Sequence, residues 1–257
     1  MIGFPSILSQ RLLRKGPLVE ETFRLFSGWD FDESVETNLS ARLHGNFRTQ
    51  GWEREVIATI GRRLKNFVLM KPLVVLASNG MGLADWRDCW RLWVGITEAP
   101  FGAFVRDWLY EEYIAGRYNV RSEDAREFAS SAWAAHSQDG KVLSDYGLLR
   151  AARDLVRTAV DFKLLTGKGP AKTFSPAQMG DDALLFHIHL IAAVEGSYVK
   201  VPASVHWRLA LMYPDDVHRT LLRLHQYRKV DYQVAGSFVQ LTLPHSTPLA
   251  FAKALKP

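Results

Sequence analysis

A single cysteine, Cys89, is all that this chain of 257 residues contains. An intramolecular disulfide and a cysteine-based zinc site are therefore excluded, which fits a reducing cytosol. Long apolar runs are missing as well. The most membrane-like stretch, residues 67–77, falls well short of the roughly 20 residues a spanning helix needs. It is also interrupted by Lys71-Pro72. The opening sequence MIGFPSILSQRLLRK places its charges after its apolar residues, the reverse of a secretion signal. Sequence repeats and low-complexity tracts are absent. With 47% hydrophobic and 23% charged residues, the chain has too much apolar content for disorder. What these absences leave is a globular protein, expected to be cytoplasmic and to have no membrane partner.

Catalytic signatures are missing too. There is no HExxH and no GxSxG. The run Gly167-Lys168-Gly169-Pro170-Ala171-Lys172-Thr173 imitates a phosphate loop. It departs from one at Ala171, where the loop needs Gly, and at Pro170, which removes a backbone donor. His187 and His189 stand two residues apart, so a helix points them to nearly opposite sides and they cannot share a metal. His218 and His225 lie two turns apart on one side of a helix; they could touch phosphate, but no nearby carboxylate completes a metal site. The acidic pairs Glu20-Glu21, Glu111-Glu112 and Asp215-Asp216 are adjacent and diverge, which makes poor two-metal sites. Cys89 lies amid Trp86, Trp90, Leu92 and Trp93, the setting of an inert buried thiol. The expectation is no enzyme, no cofactor and no metal.

What is present is helical periodicity. It places helices over 17–26, 32–44, 52–66, 84–97, 101–115, 122–136 and 144–165. Pro17 and Pro100 suit helix starts, Ser122 followed by Glu123 and Asp124 suits another, and Gly116 and Gly167 suit ends. Residues 166–179, TGKGPAKTFSPAQM, have no periodicity and read as a linker. Helices come next at 181–195, 202–212 and 214–228. Two period-2 runs, 229–234 and 237–243, then flank Ala235-Gly236 and read as a β-hairpin. Three helices before a hairpin is the order of a winged helix-turn-helix. The fold expected is mainly α: a multi-helix domain over 1–165, a linker over 166–180, and a winged-helix-like domain over 181–257. The 8 Trp, 8 Tyr and 14 Phe, with Trp86, Trp90 and Trp93 at helical spacing, point to core packing; base stacking is the alternative.

Lys and Arg number 32 against 27 Asp and Glu, a formal charge of +5, which favours a polyanionic partner such as double-stranded DNA. Two surfaces could meet one. On 214–228, Val217, Leu221 and Leu224 share one face while Arg219, Arg223 and Gln226 gather on the other, with Lys229 just beyond. Arg reaches guanine or phosphate and Gln reaches adenine, so this face suits a major groove; it equally suits an ordinary surface helix of a basic protein. The second surface holds Arg42, Arg48, Arg54, Arg62, Arg63 and Lys65 against only Glu53 and Glu55. The preceding helix carries Asp32, Glu33 and Glu36 instead, a polarity that could orient the chain on DNA. The same pattern also describes a solvated face, and the sequence does not choose between the two surfaces.

The stretch GPLVEETFRLFSGWDFDESVETNLSARLHGNFRTQGWEREVIATIGRRLK resembles the start of the BrxA family of bacteriophage exclusion (BREX) defence systems. The shared elements are Gly16, Glu20-Glu21, Asn46-Phe47-Arg48 and Arg62-Arg63-Leu64. The middle, WRLWVGITEAPFGAFVRDWLYEEYIAGRYNVRSEDAREF, and the pattern from Ser144-Asp145-Tyr146 through Leu165 are similar too, so the resemblance covers roughly 8–170. It implies a small helical, non-enzymatic accessory protein that binds DNA, with a methyltransferase, an ATPase and a phosphatase-like protein as partners. Two other functions remain open: a protein-interaction scaffold, and a winged-helix transcriptional regulator.

Overall fold

The computed structural model describes residues 6–136, 143–175, 178–236 and 238–255. The start of the opening run (1–5), residues 176–177 of the expected linker, and Ser237, which begins the second expected strand, lie outside the described residues. The chain opens with α1 (Gln10–Lys15), α2 (Val19–Ser27), α3 (Val35–Leu43) and α4 (Gln50–Arg63), the last tightening into a 3₁₀ turn, Leu64–Asn66. Then come α5 (Phe67–Ser78) and α6 (Leu83–Thr97). A π-helical stretch, Phe104–Leu109, joins α7 (Ala99–Ala103) to α8 (Tyr110–Ile114). After β1 (Asn119–Val120), a 3₁₀ turn leads into α9 (Arg126–His136) and α10 (Asp145–Asp161). β2 (Leu165–Thr166) and β3 (Lys172–Phe174) precede α11 (Asp181–Glu195), two 3₁₀ turns, and α12 (Pro214–Gln226). The hairpin strands β4 (Asp231–Ala235) and β5 (Phe238–Thr242) and a last helix, α13 (Pro248–Ala254), complete the described chain. Side-chain caps mark several starts. Ser9, Ser34, Thr49, Ser144 and Thr247 each accept a hydrogen bond from a backbone N–H in the first turn of the helix they precede.

α6 is the buried axis. Trp86, Trp90 and Trp93 stack along it, with ring centres 5.6 and 5.1 Å apart, and Phe26 meets the first two edge-on. Trp86 Nε1 donates to Leu73 O and Trp90 Nε1 to Pro17 O, so two of the indoles are also hydrogen-bonded. The Trp series is core, as expected, and Cys89 lies buried within it. Burial pushes the Cys89 thiol up. α6 and α7 touch backbone to backbone. A Cβ on Gly102 would collide with the Gly95 carbonyl, which only glycine avoids.

Several expectations are corrected. Residues 67–77, which gave no helix signal, form α5, and the helix runs through Pro72. Proline leaves the carbonyl four residues earlier unpaired. Here that residue is Val68, in the first turn of α5, which is 79% exposed. The expected helix over 202–212 is instead two 3₁₀ turns, Val201–Ala203 and Val205–Ala210. Ser204 interrupts them in an extended conformation, its Oγ donating to Glu195 Oε1. The expected linker carries β3, which pairs antiparallel with both β1 and β2 in the order β1-β3-β2. It is therefore built into the fold. Nor does the packing separate residues 1–165 from the C-terminal part of the chain. α11 lies against α6, α13 lies against α5, and one hydrophobic cluster includes side chains from both parts. The expected hairpin is present: β4 and β5 pair from Asp231↔Thr242 to Ala235↔Phe238, with Gly236 at φ 60° in the turn.

Arg63, expected on the basic surface, lies in the core. Its place in a run of cations suggested a phosphate contact, yet it is buried. Its Nε donates to Glu98 Oε1 at 2.7 Å, and its Nη2 donates to Glu98 Oε2 at 3.2 Å and to Gly16 O at 3.0 Å. Trp90 covers the guanidinium at 5.7 Å. Pro17 O accepts from Trp90 and Gly16 O from Arg63, and with Gly16 and Leu18 both at positive φ, α2 begins only at Val19. Removing one partner of a buried pair strands the other charge, at a cost of about 3–5 kcal/mol. Arg63→Ala should therefore lower the melting temperature by roughly 10 °C, whereas Arg63→Met with Glu98→Leu should cost far less. An Arg63→Ala protein that melts within a degree or two of wild type would contradict this role.

Candidate nucleic-acid interface

On α4, Val56 and Ile60 turn into the core, and Leu64 continues that face. At 100° per residue, Gly51, Arg54, Ala58, Arg62 and Lys65 fall within about 80° of one another on the other side. All five are exposed. From Arg54 to Lys65 the strip runs roughly 16 Å, and its small residues leave room for a phosphate backbone between the cations. Arg42, in the last turn of α3, and Arg48, in the connecting loop, are exposed beside it. The Arg42 guanidinium lies over Gly28, where a Cβ would stand only 3.1 Å from it.

The two acids of α4 are both committed elsewhere. Glu53 accepts from Gly45 N at 2.8 Å and sits 2.6 Å from His44 Nδ1. The Gly45 hydrogen bond is the main reason its carboxyl lies below the usual range, and these contacts clamp the loop that carries Arg48. Glu55 pairs with Lys15 at 3.1 Å and Arg11 at 3.2 Å, and these two cations hold its carboxyl down. Among the described residues, Arg42, Arg48, Arg54, Arg62 and Lys65 have no ion pair within 4 Å. Asp32, Glu33 and Glu36 are exposed at the opposite end of α3, so the polarity read from the sequence is present on the surface.

The C-terminal surface differs. Val217, Leu221 and Leu224 are buried, as the pattern of α12 requires, and Arg219 and Gln226 are exposed. But Arg219 pairs with Asp216, and Arg223 turns back to Asp181 at 2.6 Å. Lys229 reaches the same carboxylate at 2.9 Å. Arg223 and then Lys229 hold Asp181 below the usual carboxylate range. Three of the four side chains singled out here are thus paired within the protein. His218 and His225 serve the hairpin. His218 Nδ1 lies 3.0 Å from the Tyr232 hydroxyl, and His225 Nδ1 accepts from Tyr232 N at 3.2 Å.

Other polar residues that the sequence singled out make contacts within the protein. Lys172 Nζ donates to the carbonyls of Gly167 and Gly169, both at 2.7 Å. The β2–β3 loop therefore offers carbonyls to a cation, the opposite polarity to a phosphate cradle. His187 is fully buried and donates from Nδ1 to Ala183 O at 2.7 Å. Burial, with help from the Arg91 charge, lowers it to about 3, so it stays neutral in the core. Among the described residues, no group of three or more His, Cys, Asp or Glu is placed to hold a metal, and no helix is long and apolar enough to cross a membrane.

Sequence reasoning missed the acids' commitments and the approach of α1 to α4. Both depend on contacts such as Arg11–Glu55, 44 residues apart, which leave no local signal. Glu55→Gln would remove a charge beside the strip and free Arg11 and Lys15. It should strengthen duplex binding about fivefold, roughly 1 kcal/mol, and by more than Asp181→Asn does. Unchanged or weaker binding by Glu55→Gln in a fluorescence-anisotropy titration would contradict the assignment of the strip. The chain matches no family model, no curated protein and no solved structure.

Proposed function

We propose that this protein binds duplex DNA, without strong sequence preference, along the outward strip of α4 and the adjoining end of α3. The observation that supports the reading is the set of five exposed cations, Arg42, Arg48, Arg54, Arg62 and Lys65, which have no ion pair among the described residues while both acids of α4 are engaged. Unpaired surface cations release condensed counterions on meeting phosphate, the main source of sequence-tolerant affinity. Paired ones must first give up a partner. The resemblance to the BrxA family supports the wider role: a non-enzymatic accessory protein of an anti-phage defence system, working beside a methyltransferase, an ATPase and a phosphatase-like protein.

A second reading places the duplex on α12, with the β4–β5 hairpin as a wing. The order helix, short turns, helix and hairpin favours it, as does the open face carrying Arg219 and Gln226. This is the arrangement a transcriptional regulator would use, and it predicts preference for one sequence. A protein-interaction scaffold would use the same cations on acidic partners and would not retain random duplex.

If about five phosphates are neutralised, log affinity against log salt should fall with a slope of about −4 to −5. The variant with Arg54, Arg62 and Lys65 all changed to Ala should bind at least tenfold more weakly, with a slope shallower by roughly 2 to 3. Its melting temperature should stay within a few degrees of wild type. Arg219→Ala with Arg223→Ala should bind nearly as well as wild type. A slope near zero sinks the DNA reading, and the opposite ranking of the two variants moves the duplex to α12.

A further inference from the structure

A second group of cations lies around the corner from the α4 strip. α1 packs against both α4 and α10 and leaves a cleft of about 430 Å³. Arg11, Arg14, Lys15 and Arg150 line it, with the carboxylates of Glu55 and Asp154. Both carboxylates are occupied. Glu55 is shared by Arg11 and Lys15, and Asp154 pairs with Arg157 at 3.0 Å. Arg157 also donates to the carbonyls of Leu13 and Arg14 at the end of α1, which fixes α1 against α10. Arg14 and Arg150 remain, and among the described residues neither has an ion pair within 4 Å. Arg14 and Arg150, 136 residues apart in sequence, thus line one concave site, and the charges of both act on the Asp154 carboxylate beside them.

The cleft is several times larger than one phosphate group, so it admits a phosphate that remains part of a longer chain. Guanidinium groups are suited to it because each presents a planar fork of donors to two phosphate oxygens. The wall formed by Glu55 belongs to α4, one residue from Arg54, so the cleft adjoins the strip. We propose that the α1–α10 cleft is a second phosphate site, in which Arg14 and Arg150 grip a backbone phosphate of the nucleic acid lying along α4. The choice of nucleic acid over a free polyphosphate rests on the DNA reading given above.

The experiment uses the full chain, a random-sequence duplex and inorganic tripolyphosphate. Arg14→Ala with Arg150→Ala should make the salt slope shallower by about 1 and weaken duplex binding severalfold, since one phosphate contact is worth roughly 0.9 in slope. Arg14→Lys with Arg150→Lys keeps both charges and should restore the slope. If the double alanine protein melts well below wild type, the exposed Arg14→Ala alone decides, by the same reading. A slope and affinity equal to wild type overturn the cleft site while leaving the α4 strip intact. If the wild type itself fails to retain duplex, the DNA reading has failed, and tripolyphosphate decides the cleft. A rise in melting temperature that the double alanine protein lacks assigns the site to a free polyphosphate. No rise overturns it.

Discussion

The Arg63–Glu98 pair holds together parts of the chain that no local rule would join. It lies at the end of α4, at the junction of α6 and α7, and against the carbonyls that precede α2. An extended strand segment completes the same knot: Ile7 bonds to Thr97 and Ala99 on either side of Glu98. Taking two charges out of water is costly, and only a full set of partners offsets that cost. Here the guanidinium has two carboxylate oxygens, two backbone carbonyls and an indole face. The arrangement also fixes the rotation of α4. With Arg63 turned inward, Arg62 and Lys65 must face solvent, so a buried ion pair sets which cations the surface presents.

Charge is distributed by a second rule, in which acids near the basic strip are spent inside the protein. Glu53 stiffens the loop between α3 and α4, and Glu55 ties α1 to α4. Each contact organises backbone and at the same time removes a carboxylate that would repel a polyanion. At α12 the rule runs the other way: Asp181 and Asp216 take up Arg223, Lys229 and Arg219. Two amphipathic helices with similar outward Arg patterns thus differ in how much of their charge is free, and only the folded structure shows it.

The sequence revealed what depends on local periodicity. The buried faces of α4 and α12, the Trp series of α6 and the hairpin after α12 follow from spacing, turn residues and aromatic content. It was misleading where tertiary burial overrides local rules. α5 passes through Pro72, and Val68, four residues before it, lies on the exposed side. β3 is three residues long, too short for a period, and its Gly- and Pro-rich flank looked like a linker. Helical spacing puts Arg63 on the buried face of α4 with Val56 and Ile60 and turns Arg62 outward, but its charge disguised it as a surface cation, and only the distant Glu98 shows how a guanidinium is held there. The cleft between α1 and α10 was invisible for the same reason, since Arg14 and Arg150 meet only through packing.

The proposed duplex lies along α4, on a surface that the buried pair holds in place. Backbone hydrogen exchange, measured with and without a random-sequence duplex, tests it most directly. The prediction is slowed exchange over residues 42–66, extending into α1, with little change over 214–242. Protection confined to α12 and the β4–β5 hairpin, with none on α4, would contradict it.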